Sequence, residues 1–205
     1  MQLIGMLDSP YVRRAAISLH LLDMPFEHRS LSVFRDFETF GQINPLVKAP
    51  TLVCDGGEQL IESSLIIDYA ESLAAPERSL MPHDPRARRQ GLRLIGLALV
   101  ACEKSVQIIY EHKRPAELHY TPWLERVQTQ LRQAYAALER EIAPIETTWL
   151  LGGGAPSQAD VSVAVAWGFT QLTMPEQIRA AEYPALAAHA ARAERLPAFA
   201  ACPVR

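Results

Sequence analysis

The sequence is poor in the features that mark several large functional classes. Among 205 residues it has only three cysteines, Cys54, Cys102 and Cys202, widely spaced and odd in number. No pair stands at metal-ligand spacing and no disulfide framework is expected, which points to a reducing compartment and no bound metal. There is no basic excess. The 20 Lys and Arg against 23 Asp and Glu leave a net charge of −3, which argues against a nucleic-acid partner. There is no long hydrophobic run either: the longest, "LIGLALVAC" at 94–102, falls far short of the roughly 18 residues that cross a bilayer. The opening "MQLIGML" has no positive n-region and no long apolar h-region, so no signal peptide is expected. The balance that is left, 49% apolar and 21% charged, is that of a soluble globular protein, expected in the cytoplasm without a membrane partner.

What is present is a change of period along the chain. "QLIGM" reads as a short apolar strand. From Pro10 onward, Val12, Ala16, Leu19 and Leu22 recur at helical spacing. "MPFEHRSL" is a second strand candidate, and "RDFETFGQINP" reads as a short helix ended by Gly41 and the Asn44-Pro45 stop. "PTLVCDGGEQLIES" reads as two short strands around Asp55-Gly56-Gly57, and "SSLIIDYAESL" as a helix capped by Ser63. The proline-rich segment 76–84 reads as a linker. Beyond it the pattern is helical throughout. Leu92, Ile95, Leu99, Cys102, Val106 and Ile109 form one stripe; Leu124, Val127, Leu131, Ala134 and Leu138 form the next. Ser157 followed by Asp160 is an acidic variant of a capping box, opening a helix of small apolar residues expected at the bundle centre. The triple glycine at 152–154 follows no strand and reads as a turn, and His112 and His119 read as surface residues.

The stretch "LDSPYVRR" at 7–14 puts a lone hydroxyl, Ser9, and a proline at the mouth of the first helix. The residues alone allow two readings of Ser9. One is a plain helix N-cap, with the proline fitting the first turn. The other is a reagent site, where free N–H groups and the helix dipole hold an anion.

The order βαβ-α-ββα, with a proline just before the third strand, is the thioredoxin arrangement. Together with "SPYVRRAAISL", "NPLVKAPTLV", "LIESSLIIDYAE" and the Ser157–Asp160 cap, in this order and at these spacings, the chain resembles the cytosolic glutathione transferases over nearly its whole length. The resemblance implies a thioredoxin-like α/β domain at 1–75, the linker at 76–84, and an all-α helical bundle at 85–205 that forms the electrophile pocket. Glutaredoxin-like relatives carry Cys-Pro-Tyr-Cys where this chain has Ser9-Pro10-Tyr11-Val12. Both thiols of a dithiol–disulfide cycle are missing, and the resemblance implies a thiolate supplied by a second molecule, glutathione. A free thiol has a pKa of about 8.5, and a hydroxyl donor at the positive end of a helix favours its anion.

On that resemblance Ser9 is the catalytic residue, of the serine-containing bacterial type, and Tyr11 is the rival hydroxyl or a pocket residue. Other classes place a tyrosine within the first strand, and residues 2–6 have none. Pro50 would be cis, leaving the N–H and C=O of Ala49 to pair with the cysteinyl backbone of glutathione like an added strand. The family often has Val there, and Ala changes only the side chain. Glu62 would hold the γ-glutamyl ammonium, Ser63 the carboxylate, and Lys48 would lie near the glycyl carboxylate. Glu103, Lys104, Gln107, Tyr110 and Trp123 are pocket candidates by helix face. Arg86, Arg88, Arg89 and Arg93 crowd a helix start where the dipole disfavours them, which either solvation or a second subunit explains; a homodimer is expected. The implied function is that of an enzyme of detoxification, which activates the glutathione thiol for attack on a small apolar electrophile. The alternative is a non-catalytic ligand- or partner-binding protein on the same fold. The Ser-Ser-Cys of the maleylacetoacetate isomerase class is absent.

Overall fold

The first strand, β1 (Gln2–Ile4), buries Leu3 and Ile4 completely. A computed structural model of the chain describes residues 1–204. β1 pairs in parallel with β2 (Glu27–Arg29) and antiparallel with β3 (Thr51–Val53), which pairs antiparallel with β4 (Gln59–Ile61). The strand order is β2-β1-β3-β4. The register sets Leu3 opposite Leu52, and Leu52 opposite Leu60, so the rank across β1, β3 and β4 is apolar and ends on His28 of β2. Parallel β1 and β2 need a crossover, which α1 (Pro10–Leu21) provides. α2 (Phe37–Ile43) leads into β3, and α3 (Ser63–Leu73) follows β4 directly. α1 and α3 pack together, burying Val12, Ala16, Ile17 and Leu19 from one and Ile66, Ile67 and Ala70 from the other. Each large apolar side chain so buried contributes about 1.5–3 kcal/mol. The order βαβ-α-ββα is the expected thioredoxin-like one.

Two local expectations are corrected. α2 runs through Gly41 and stops at Asn44. The stop comes from the Asn44 side chain, whose Oδ1 accepts from Leu46 N at 3.0 Å and whose Nδ2 donates to Thr51 Oγ1 at 2.8 Å. α3 is capped by Glu62 rather than Ser63: Glu62 Oε2 accepts from Ser64 N at 3.0 Å, and Ser63 is already the first helical residue.

The chain divides into two compact units, Met1–Leu80 together with Arg195–Arg205, and Met81–Glu194. The short α8 (Pro197–Ala200) therefore packs with the first unit, whereas the sequence reading kept everything from 85 onward in one helical domain. Arg13 is the reason: buried on α1, it donates from Nε to Cys202 O at 2.8 Å and lays its guanidinium 5.5 Å from the centre of the Phe199 ring.

The second unit is helical: α4 (Pro85–His112), α5 (Thr121–Ile142), α6 (Gln158–Thr173) and α7 (Pro184–Ala193). α6 is buried along nearly its whole length, at the centre of this unit. Inside it Tyr135 OH donates to Ala166 O at 2.8 Å and meets Thr170 Oγ1 at 2.6 Å, and Ser105 Oγ meets Thr170 Oγ1 at 2.9 Å, so one polar network ties α4, α5 and α6. Asp160 accepts from Ser157 N at 2.7 Å, Ser157 Oγ at 2.6 Å and Leu150 N at 2.9 Å. The buried stripe of α4 includes Gly91, Leu94, Ile95, Ala98, Cys102, Ser105 and Ile108; Leu92, expected inside, is 55% exposed. A Cβ on Gly91 would stand 2.9 Å from Leu151 Cδ1, so the close approach there selects the face that turns inward. Arg93 needs no second subunit, since its Nε donates to Glu141 Oε1 on α5 at 2.7 Å.

Candidate functional site

Gly5 organises the start of the site. It leaves β1 at φ 136°, and a Cβ there would lie 2.6 Å from Val12 Cγ2 and 3.1 Å from Ala49 Cβ. Glycine is what lets the first turn of α1 and the loop before β3 close on the strand end together. Ser9 N donates to Met6 O at 3.1 Å, turning the chain into α1, and Arg13 N donates to Ser9 O at 2.9 Å. Ser9 is thus the N-cap by its main chain. Its hydroxyl makes no capping hydrogen bond. The half-buried side chain stands at the positive end of a twelve-residue helix with its donor uncommitted to the cap. Tyr11 lies half-buried in the first turn of α1.

The loop before β3 is tightly held. Val47 N donates to Asn44 O at 2.9 Å and Thr51 Oγ1 donates to Lys48 O at 2.6 Å. The Ala49–Pro50 peptide is cis. Neither the N–H nor the C=O of Ala49 has a hydrogen-bond partner among the described residues, so a strand-like edge of one residue is open there. Lys48 is exposed beside it.

The start of α3 is the third part. Glu62 sits at φ 72°, ψ 123°, a conformation L-residues rarely adopt, and its side chain is exposed. Ser63 is fully buried. Its Oγ donates to Glu62 Oε1 at 3.3 Å and accepts from Arg14 Nη1 at 3.0 Å; the same nitrogen donates to Ser64 Oγ at 3.1 Å. Arg14 therefore ties α1 to the start of α3. Sequence reasoning passed over it. The available signal was two adjacent arginines in an apolar helix with no acidic residue three or four positions away, which leaves their guanidinium groups to find partners elsewhere in the fold.

In the second unit Glu103, Lys104 and Gln107 come together on α4, but they satisfy one another. Lys104 Nζ donates to Glu103 Oε1 at 2.8 Å and to Gln107 Oε1 at 3.3 Å, and Gln107 Nε2 donates to Glu103 Oε1 at 2.9 Å. Tyr110 and Trp123 present exposed aromatic surface, and partial burial pushes the Tyr110 phenol up. None of the three cysteines forms a disulfide among the described residues. Burial pushes Cys202 up to about 11, so it is a neutral thiol at pH 7. Among the described residues no three His, Cys, Asp or Glu side chains gather where they could hold a metal, and no helix is long and apolar enough to cross a membrane.

Comparison with known proteins agrees with this layout. A family model described as "Glutathione S-transferase, N-terminal domain" matches residues 3–78, and one described as "Glutathione S-transferase, C-terminal domain" matches 121–192. An Escherichia coli (strain K12) protein named "Uncharacterized GST-like protein YibF" is 29% identical over 140 residues, 68% of this chain and 68% of its own. A glutathione S-transferase of Methylobacterium radiotolerans, solved in complex with glutathione sulfonate, superposes with a TM-score of 0.89 at 28% identity, over 98% of this chain and 93% of that one. A glutathione transferase family member from Pseudomonas fluorescens Pf-5, solved with bound glutathione, gives a TM-score of 0.81 at 29% identity, over 100% and 98%.

Proposed function

The chain belongs to the glutathione S-transferase family, and from that premise we propose that it binds glutathione in its first unit and activates the thiol for attack on a small apolar electrophile. The observation that carries this reading is the Ser9 hydroxyl, which stands at the positive end of α1 and is not used as a cap. A donor so placed stabilises a thiolate in preference to a thiol. The open N–H and C=O of Ala49 receive the cysteinyl backbone, Ser63 the γ-glutamyl carboxylate, Glu62 the ammonium and Lys48 the glycyl carboxylate. The relatives solved with glutathione and glutathione sulfonate support this choice of co-substrate.

The chemistry then runs in two steps. The bound thiol loses its proton to water, and the thiolate is held by Ser9. A sulfur lone pair forms a bond to the electrophilic carbon, and the electron pair leaves with a departing group or moves along a conjugated double bond that later takes up a proton. Tyr110 and Trp123 supply flat apolar surface suited to such a substrate, and detoxification in the cytoplasm is the role that follows. A homodimer is part of the proposal. A shallow groove along α4, lined by Arg89, Leu92, Arg93, Gly96, Leu97 and Val100, exposes apolar and basic side chains side by side, which suits a second copy of the chain.

Calorimetric titration with glutathione, followed by turnover of a panel of electrophiles, tests the reading. Saturable binding with turnover is expected. Binding without turnover of any of them favours the non-catalytic alternative, and no binding refutes the proposal.

A further inference from the structure

Arg14 is a cation within the first unit that the thiol chemistry leaves unused. It is 3% exposed, yet one nitrogen, Nη1, donates to two hydroxyls in the first turn of α3, Ser63 Oγ at 3.0 Å and Ser64 Oγ at 3.1 Å. A hydroxyl has one proton and two lone pairs, whereas a guanidinium has protons only and keeps them in proteins. Each hydroxyl on Arg14 therefore has a lone pair committed and its proton turned elsewhere. In Ser63 the proton goes to Glu62 Oε1 at 3.3 Å. That is long beside the roughly 2.5–2.7 Å of a good bond from a hydroxyl to a carboxylate. A better-placed acceptor would displace it.

We propose that Arg14 is a positioning residue that fixes Ser63 and Ser64 as hydrogen-bond donors, so that the start of α3 takes a carboxylate and discriminates against ligands that lack one. The inference rests on the reading of Glu62 and Ser63 as the γ-glutamyl subsite and explains how that end is recognised. An α-amino-acid group carries a carboxylate and an ammonium on one carbon. When the carboxylate takes the Ser63 proton, Glu62 Oε1 loses its hydroxyl partner and is released to the ammonium. Both halves of the zwitterion are then matched, and Arg14 acts on the ligand through the serines. Without its charge the hydroxyls rotate freely and accept as readily as they donate, and the selection is lost.

The test uses the full chain, calorimetry, and two ligands: glutathione and an analogue in which hydrogen replaces the γ-glutamyl α-carboxylate. The parent is expected to prefer glutathione by about tenfold or more, the scale of one charge-assisted hydrogen bond. Arg14→Met is expected to weaken glutathione binding by about tenfold and to leave the analogue nearly unchanged, so that the preference collapses. Arg14→Lys, which keeps the charge and loses the fork, is expected to retain part of the preference. A purely structural arginine would weaken both ligands alike; equal losses, or an unchanged preference, overturn the role given to Arg14. If thermal melts show that Arg14→Met does not fold, Arg14→Lys decides by the same two criteria. A parent chain that binds glutathione no better than the analogue refutes the subsite reading itself, a separate outcome visible before any variant is made.

Discussion

Ser9→Ala separates a helix cap from a reagent group because the two roles move different observables. An N-cap side chain that bonds the helix end is worth about 0.5–2 kcal/mol of stability. Here the main chain alone completes the cap, through Arg13 N to Ser9 O, and the hydroxyl makes no capping bond. The variant should therefore melt within a degree or two of the parent, since the bond whose loss would lower the melting temperature is not made. The bound thiolate should respond strongly. A hydrogen bond to a charged group contributes about 1.5–3 kcal/mol, and each pKa unit is about 1.36 kcal/mol. The thiol pKa of bound glutathione, read from thiolate absorbance against pH, should rise by about one to two units on losing the hydroxyl. At neutral pH the thiolate fraction and the turnover should fall by roughly tenfold to a hundredfold. The sign fixes the pH profile: a raised thiol pKa moves activity to higher pH, so the variant should recover above the shifted value, while glutathione affinity changes less because the tripeptide keeps its other contacts. A variant that melts well below the parent with the thiol pKa unchanged would refute the argument and return Ser9 to a cap.

Two further outcomes follow from the second unit. Light scattering at tens of micromolar should give a dimer, and Leu92→Asp, which puts a charge on the exposed groove of α4, should give a folded monomer; a parent monomer rules the interface out. His189 is buried, its Nδ1 has no hydrogen-bond partner among the described residues, its Nε2 lies 3.4 Å from Asp160 O, and burial holds its pKa below the ordinary 6.5. The folded state thus disfavours the imidazolium that the unfolded state accepts. Stability from this group is present above pH ~6.5 and falls on acidification by at most about 1.4 kcal/mol per pH unit. His20 shifts in the same direction, so the readout is the difference in melting temperature between the parent and His189→Gln across pH 7 to about pH 5; parallel curves would reject it.

The fold was legible where the chain changes period between punctuating residues. Asp55-Gly56-Gly57 marks the hairpin, Asn44-Pro45 the stop of α2, and Ser157 the start of α6. The helix faces were less legible. Apolar residues ring more than half of α4, so period alone cannot decide that Leu94 turns inward and Leu92 outward; a glycine at 91 against Leu151 decides it. The return of α8 to the first unit was out of reach, because Arg13 and Cys202 are 189 positions apart in the chain. The candidate site divides in the same way. Ser9, Pro50, Glu62 and Ser63 stand out because each breaks a local pattern at an element boundary. Arg14 does not: a buried arginine in a helix looks like an exposed one until the residues it reaches are known, and Ser63 is 49 positions away.

Glu62 joins strain and recognition in one residue. Its backbone at φ 72°, ψ 123° is sparsely populated for a residue with a Cβ, a cost of order 1–3 kcal/mol that persists only where the surroundings over-determine it. The stabilising return within the protein is small: one bond from Ser64 N at 3.0 Å to an exposed carboxylate, and one long bond from Ser63 Oγ. Replacing such a cap by glycine costs only a few tenths of a kcal/mol, and removing the Cβ relieves part of the backbone cost. Glu62→Gly should therefore melt at or above the parent temperature. It should also lose glutathione affinity by about tenfold, since the γ-glutamyl ammonium loses its charged partner. Stability and binding moving in opposite directions is the signature of strain maintained for a ligand. A glycine variant that melts lower and binds glutathione as tightly as the parent would make Glu62 a structural cap and remove the ammonium from its side chain.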